Sequence, residues 1–431
     1  MSPELTGLIG IVVLLALIFA RMWVAFAMAI VGFFGIVAIQ GFNQALHIAG
    51  NVPFTFIFKY VMTTIPMFVL MGNAIAETGI GSDLYKAANK WLGSLQGGLA
   101  IATNVACAFL GAITGVANVA LITMGKVALP EMRKQGYSDR LSAACIACSG
   151  TLAVLIPPSI PFILYGIITE LSIGKLYMAG IVPGILLTLF FAFAIWLTAK
   201  MNPQLGPAGP RTTFKEKIVS LKGIWMTGLL FILVIGGIYG GIFTPTEAGA
   251  VGAFGALVIG FATRRFTRQS VVRMMVDTAL MTSMVLLLMM GVSIFIRFVA
   301  ISEMPFLLSE FIGSLSVSPM VILMGIIVLY LILGMFTDIL ASVLLTVPIL
   351  YPIILTLGFD PIWFGVLVVM LVQVGLITPP IGMDVYVLGG ITGVPVGTIF
   401  RGIIPFVIAI VVLIALVIAF PQIVLFLPNS M

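Results

Sequence analysis

The chain has 431 residues, of which 61% are apolar and only 8% charged, with a formal net charge of +6 and a mean hydropathy of +1.28. Soluble domains carry about 25% charged residues, so this balance excludes a soluble globular protein, and the longest polar stretch, residues 200–217, is too short to form a soluble module. One histidine, His47, and a C-x-x-C at Cys145 and Cys148 with only Cys107 besides leave neither a histidine triad nor a metal-cluster ligand set, so no enzyme is expected and the two cysteines read as small residues inside a helix.

Apolar segments of roughly 20 residues, the length that crosses a bilayer, follow one another along the sequence. The first covers 5–20; Glu4 and the absence of a basic region before it make it a membrane helix rather than a cleaved signal. Spans at 23–42 and 53–76 follow, then an amphipathic stretch at 79–98, a re-entrant hairpin at 99–133, a broken helix at 140–170 and a span at 177–200. After a linker at 201–223 come spans at 224–243, 247–263 and 277–299 and an amphipathic stretch at 301–319. A second hairpin at 319–357, a second broken helix at 361–391 and a span at 402–427 complete the order. The two amphipathic stretches are expected to lie in the membrane interfaces.

The second half repeats the first at an offset of about 222 residues. "LIPPSIPFILYGIITELSIGKLYMAGIVPG" aligns with "LITPPIGMDVYVLGGITGVPVGTIFRGIIPF", which sets Pro157 and Pro158 on Pro379 and Pro380, Gly180 on Gly402 and Pro183 on Pro405. Upstream, "GAITGVANVALITMGKVALP" matches "GMFTDILASVLLTVPILYP", with Gly111 on Gly334 and Thr114 on Thr337. Each copy holds an odd number of crossings, because a hairpin returns to its own side, so consecutive copies are inverted. A long repeat in a membrane chain points to a secondary transporter. The fold class is therefore an all-α polytopic membrane protein of inverted repeats, with two re-entrant hairpins and two broken helices.

Positive charge orients it. With the N-terminus outside, Arg21, Lys86, Lys90, Arg133, Lys134, Arg140, Lys200, Arg211, Lys215, Lys217 and Lys222 fall on the cytoplasmic side. Arg264, Arg265, Arg268, Arg273 and Arg401 fall there too, against Lys175, with Lys59 and Arg297, towards the outside. Both termini are then periplasmic, and the basic balance anchors the chain rather than binding nucleic acid.

Proline pairs in apolar runs mark backbone that leaves the helix at membrane depth, which is tolerated only inside protein or beside a wet cavity. The breaks are expected at 149–159 and 373–382, each following a hairpin whose tip, "GAITGVAN" or "GMFTDILAS", is rich in Gly, Thr, Asn or Asp. Broken helices expose carbonyls at one stump and N–H groups at the other. The carbonyls and nearby hydroxyls suit a small hard cation, the N–H groups a carboxylate; the plain alternative is that each Ser or Thr bonds back to its own helix. Glu247 reads as a helix N-terminal charge.

"GGIYGGIFTPTEAGAVGA" at 236–253, with the "LIPPS" and "LITPP" segments, resembles the large membrane subunit of tripartite ATP-independent periplasmic (TRAP) transporters, the DctM type, over essentially the whole chain. The resemblance implies an elevator-type, sodium-coupled importer of organic acids in the bacterial inner membrane, surrounded by membrane lipid. It implies a separate small four-helix membrane subunit and a periplasmic substrate-binding protein as partners, and it puts a sialic acid ahead of a C4-dicarboxylate as substrate. It also implies scaffold and arm helices at 1–98 and 224–318 and transport-domain halves at 99–200 and 319–431, joined by the cytoplasmic linker 201–223. The hairpin-plus-broken-helix order is also similar to the divalent-anion/sodium symporters, which carry Ser-Asn-Thr at both tips; this chain departs from that pattern. A stand-alone permease of that kind, and a channel or membrane scaffold, are the alternatives. Two sodium sites are expected, at Thr114, Asn118, Ser149, Gly150 and Thr151, and at Thr337, Asp338, Ser342, Gly375 and Thr378, with Asp338 equally readable as a helix cap. Pro157, Pro158, Pro379 and Pro380, with Asp384 and Arg297, are the substrate-facing candidates; Asp384 could instead cap its helix stump and Arg297 could snorkel.

Overall fold

In a computed structural model, which describes residues 2–314 and 317–431, every regular element is helical among the described residues. α1 (Pro3–Phe19) starts on a Ser2 cap and ends in a tight turn at Arg21, after which α2 (Val24–Gln40) returns. The expected span at 53–76 is not one helix. α3 (Phe42–Ile57) begins well before it, and the chain unwinds at Lys59, which pairs with Glu170 at 3.7 Å, before a 3₁₀ turn (Tyr60–Thr63) and α4 (Thr64–Glu77). A charged residue between two apolar runs is cheapest where the helix stops and the ammonium can leave the hydrocarbon.

The first amphipathic stretch is α5 (Ile80–Leu92), and the first hairpin is α6 (Gly98–Thr114) and α7 (Ala117–Lys134), turning on Gly115 at φ +65°. The first broken helix is α8 (Asp139–Gly150), the short α9 (Leu152–Leu155) and α10 (Ile160–Thr169), followed by α11 (Ile173–Met201). The linker is not all irregular: α12 (Phe214–Ser220) forms behind a Thr213/Glu216 capping box and bends by 64° into α13 (Trp225–Tyr239). α14 (Pro245–Ala262) opens on a second capping box, in which Glu247 takes the N-terminal role expected of it. α15 (Arg268–Ile301) is a single helix of 34 residues, and α16 (Met304–Ser314) is the second amphipathic stretch, of which 315–316 lie outside the described residues. The second hairpin is α17 (Pro319–Phe336) and α18 (Ile339–Thr356); the second broken helix is α19 (Pro361–Ile377) and α20 (Met383–Thr392). α21 (Val396–Ala419) and the short α22 (Gln422–Leu425) close the chain. Eight helices among the described residues are long and apolar enough to cross a membrane, or nine if the bent pair counts as one span. Large apolar side chains such as Phe34, Phe193 and Phe254 stand exposed on the outside, where lipid covers them.

Contacts follow the repeat. α2 packs on α15 and α4 on α14, while α1 joins α2 as α13 joins α14. α6 and α7 pack on α8 as α17 and α18 pack on α19, and the halves exchange partners: α10 lies on α18 and α20 on α7, α8 on α21 and α19 on α11. The pseudo-twofold relation is visible in one bond. Gln373 Nε2 donates to Thr151 Oγ1 at 2.8 Å, and these residues are 222 apart, so each touches its own repeat mate. Close packing is repeated as well. A Cβ on Gly375 would strike the Gly334 backbone, and one on Gly111 would strike Ala153, the repeat mate of Gly375.

The breaks come later than expected. Helix persists through Gly150 and, past a kink at Thr151, to Leu155; in the second half it persists to Ile377. Unwound backbone covers 156–159 and 378–382. The cause is the restriction a proline places on the residue before it: Ile156 (φ −83°, ψ 122°) and Thr378 (φ −101°, ψ 142°) are both extended. The hydroxyls of Thr151 and Thr378 bond back to their own helices, to Cys148 and Val374, which keeps those turns helical. Both Pro–Pro peptide bonds are cis.

Candidate functional site

Both hairpin tips and both broken helices meet around one cavity of about 290 Å³. Tip 1 contributes Gly115–Asn118, tip 2 contributes Asp338–Leu340, the first broken helix Val154, Ile160 and Pro161, and the second Leu376, Met383 and Asp384. α15 closes it with Met281, Met284 and Val285. Among the described residues its ionisable lining groups are Asp338 and Asp384, with no Lys or Arg in the wall. Asp338 caps α18, its Oδ1 accepting the Ala341 N–H at 2.9 Å, so the capping role exists together with exposure to the cavity. Asp384 is 4% exposed, and its Oδ2 has no hydrogen-bond partner among the described residues. Two carboxyl groups in a largely apolar wall suit a cation and oppose an anion arriving alone.

The expected sodium ligands divide. Thr114 ends α6, with its hydroxyl buried and without a partner among the described residues, and Gly115 beside it abuts the Pro158 carbonyl, so tip 1 does reach the first break. Asn118 is exposed on the cavity wall. Ser149 points elsewhere: its hydroxyl donates to Asn104 Oδ1 at 2.9 Å, and Asn104 in turn donates to the Thr188 carbonyl at 2.8 Å. Gly150 packs on Leu121 inside the helix, and Thr151 is held by Gln373. In the second half Thr337 and Ser342 share a hydrogen bond of 2.6 Å at tip 2, next to Asp338, whereas Gly375 serves the close approach to Gly334 and Thr378 bonds to Val374.

The substrate-facing candidates are also spread out. Asp384 lines the cavity, but none of the four prolines does. Pro157 and Pro158 are buried, whereas Pro379 and Pro380 are exposed. Arg297 is exposed on α15 and stands outside the cavity wall. Cys145 and Cys148 are buried free thiols of α8. Two residues went unnoticed in the sequence. Gln373 is fully buried with its Oε1 unpartnered among the described residues, and a lone amide 222 residues after a threonine in the matching run was the available signal. Arg21 was counted only as an anchoring charge.

Residues 11–423 match the family described as "Tripartite ATP-independent periplasmic transporter, DctM component". The chain belongs to the DctM family of TRAP transporter large permeases. Among its relatives is the C4-dicarboxylate TRAP transporter large permease protein DctM of Pseudomonas aeruginosa, 34% identical over 86% of each chain. Another is the sialic acid TRAP transporter large permease protein SiaM of Vibrio cholerae, 31% identical over 96% of each. The Neisseria gonorrhoeae antimetabolite efflux pump MtrF has a similar structure, with a TM-score of 0.61 over 97% of this chain and 95% of that one; at 14% identity this concerns the fold alone. DctM proteins are multi-pass inner-membrane permeases of bacteria and not enzymes, and they carry out secondary transport of organic acids as one component of a three-part system.

Proposed function

We propose that this DctM permease couples entry of sodium to import of an organic acid. The observation that carries the coupling is the paired Asp338 and Asp384 around a cavity without a basic residue. An organic carboxylate entering that space meets two like charges unless cations enter with it, so cation and solute binding strengthen each other reciprocally. The oxygen atoms free to replace a hydration shell are the Thr114 hydroxyl, Gln373 Oε1 and Asp384 Oδ2. Thr337, Ser342 and the second Asp338 oxygen supplement them at tip 2. A first site then lies around Thr114, Asn118 and the Gly150–Thr151 kink, and a second around Thr337, Asp338, Ser342 and Thr378.

The moving body in this proposal comprises 99–200 and 319–431, and the fixed frame 1–98 and 224–318, with α5 and α16 as arms and 201–223 as a cytoplasmic linker. Both termini are periplasmic. The other two components are a small four-helix membrane subunit and a periplasmic binding protein. Sialic acid is the first substrate to test, because the relative of that name aligns over nearly the whole chain, and C4-dicarboxylate the second. The experiment is uptake of labelled sialic acid and succinate into proteoliposomes, with and without a sodium gradient, small subunit and binding protein. Concentrative uptake that needs all three supports the proposal; equal uptake without sodium defeats it.

A further inference from the structure

Arg21 occupies a backbone position that suits glycine. In the turn that closes α1 its φ is +66°, its N–H donates to Ile18 O at 2.9 Å, and the Met22 N–H donates to Leu17 O at 3.0 Å. The corresponding turn of the second half, which closes α13, has the same pair of bonds, Gly241 N–H to Ile238 O at 3.1 Å and Ile242 N–H to Gly237 O at 2.9 Å. There the left-handed residue, at φ +68°, is Gly241. A side chain at such a position is strained. The glycine of the second copy shows that the turn does not call for arginine; Arg264, at φ +54°, closes α14 through the same pair of bonds, so what sets Arg21 apart is its surroundings.

Arg21 also lines a cavity of about 330 Å³ between the α1–α2 turn, α15 and the tip of the second hairpin. Apart from Thr337 and Asp338 the side chains around it are apolar, and Arg21 is the cation of the wall. Asp338, Met284 and Met383 belong to this wall and to that of the acidic cavity, so the two spaces adjoin. Arg21 makes no ion pair among the described residues.

We propose that Arg21 is a receiving site for the carboxylate of the transported acid, fixed on the frame at the mouth of the acidic cavity. The inference rests on the importer proposal above and adds a residue to it. A carboxylate leaving the space between Asp338 and Asp384 meets a guanidinium whose planar fork accepts it in bidentate fashion. The charge is exposed in a low-dielectric wall, where its field reaches furthest. In the orientation set by the other basic residues this mouth faces the cytoplasm, so Arg21 acts on release.

The test uses the complete membrane complex with Arg21→Gly and Arg21→Lys. Thermal unfolding and transport are measured on the same preparations, the latter both as uptake and as downhill efflux from the Arg21 side. Arg21→Gly should unfold at the same temperature as the wild type or a higher one, because the turn prefers glycine. Its transport should fall about tenfold, the order of a lost charge-assisted hydrogen bond, with a raised KM for solute on the Arg21 side, and Arg21→Lys should recover part of the loss. Wild-type transport by Arg21→Gly overturns the proposal, as does a lowered unfolding temperature with unchanged KM, which would make the arginine a lipid anchor or structural residue. A wild-type complex that moves no organic acid defeats the importer proposal itself, and this inference falls with it.

Discussion

The Thr151–Gln373 bond should respond asymmetrically to removal of its two partners. Both side chains are fully buried, and the bond of 2.8 Å is the only partner of the Gln373 amide among the described residues, since Oε1 has none. Thr151→Val keeps the shape but leaves the amide wholly unpaired. The Cys148 carbonyl, which also accepts the Thr151 N–H at 3.2 Å, stays satisfied. An unsatisfied buried amide costs about 1–3 kcal/mol, and interhelical bonds in membranes fall near the lower end, so Thr151→Val should lose about 1–2 kcal/mol. Gln373→Met removes the amide and its orphan oxygen at similar volume, while the Thr151 hydroxyl keeps its bond to Cys148 O at 2.7 Å; this variant should lie within about 0.5 kcal/mol of the wild type or above it. The double variant should match Gln373→Met. Reversible unfolding in mixed detergent micelles without sodium, so that loss of Gln373 Oε1 as a proposed ion ligand does not enter, gives all four values. A Gln373→Met loss as large as that of Thr151→Val, or a double variant that sums the two, would refute the reasoning.

Gly375→Ala should cost about 1–3 kcal/mol, because the new methyl meets Gly334 backbone that cannot step aside, whereas Gly334→Ala meets its neighbours at 3.2 Å and should cost less; equal unfolding midpoints would deny the close approach of α17 and α19. Thr114→Ala, Thr337→Ala and Asp338→Asn should each raise the sodium concentration for half-maximal uptake, and three unchanged sodium curves would remove the two-site scheme. The Glu216 carboxylate is held below its ordinary range by the Thr213 backbone N–H, then by the Thr213 hydroxyl and Lys90. Its folded pKa is depressed, so the capping box contributes above the ordinary value of about 4.3 and is lost as pH falls through the folded value. Hydrogen exchange at 214–220 should therefore speed up in acid beyond its intrinsic pH dependence, and should lose that extra response in Glu216→Gln. In a cysteine-free background Ile381→Cys should label and Ser159→Cys should resist, since Ser159 is fully buried and Ile381 is 36% exposed; identical labelling in every transport condition would argue against exchange of roles between the halves.

The architecture was legible because its marks are local. Paired prolines, glycine-rich tips and apolar runs recur at one offset, and each is a property of a few adjacent residues. The break positions were misjudged because proline acts on the residue before it, so unwinding starts at Ile156 and Thr378 rather than at the small polar residues upstream, which bond back to their own turns. α3 was missed because Asn43, Gln44, His47 and Asn51 resemble a polar connection until the helix that presents them together is known. Of the residues lining the acidic cavity, Asp338, Asp384 and Asn118 were named beforehand, since acids and amides in apolar runs stand out. Arg21 did not stand out, because a count of basic residues treats every arginine alike, and only its place in the wall of a cavity distinguishes it from Arg264, which sits in the same kind of turn.

The two halves are alike in sequence pattern and unlike in surroundings, and that difference bears on mechanism. Pro157 and Pro158 are buried while their mates Pro379 and Pro380 are exposed, and Ser159 is enclosed while Ile381 is open. A strict twofold would make these environments equal. The asymmetry leaves the backbone beside the second break open where that beside the first is enclosed, although none of these residues lines the acidic cavity. An inverted repeat offers a second arrangement in which the first half takes the environment of the second, and the bond between Thr151 and Gln373 lies where neither half has to yield, since it joins equivalent positions. The charges then divide the work. In the proposed scheme Asp338 and Asp384 admit solute together with cations, which ties loading to the gradient, and Arg21 raises the affinity for the anion on its own side of the acidic cavity. The same residues placed symmetrically would present equal affinity to both sides, so the asymmetry sets how tightly each side holds the acid while the gradients set the direction of net movement.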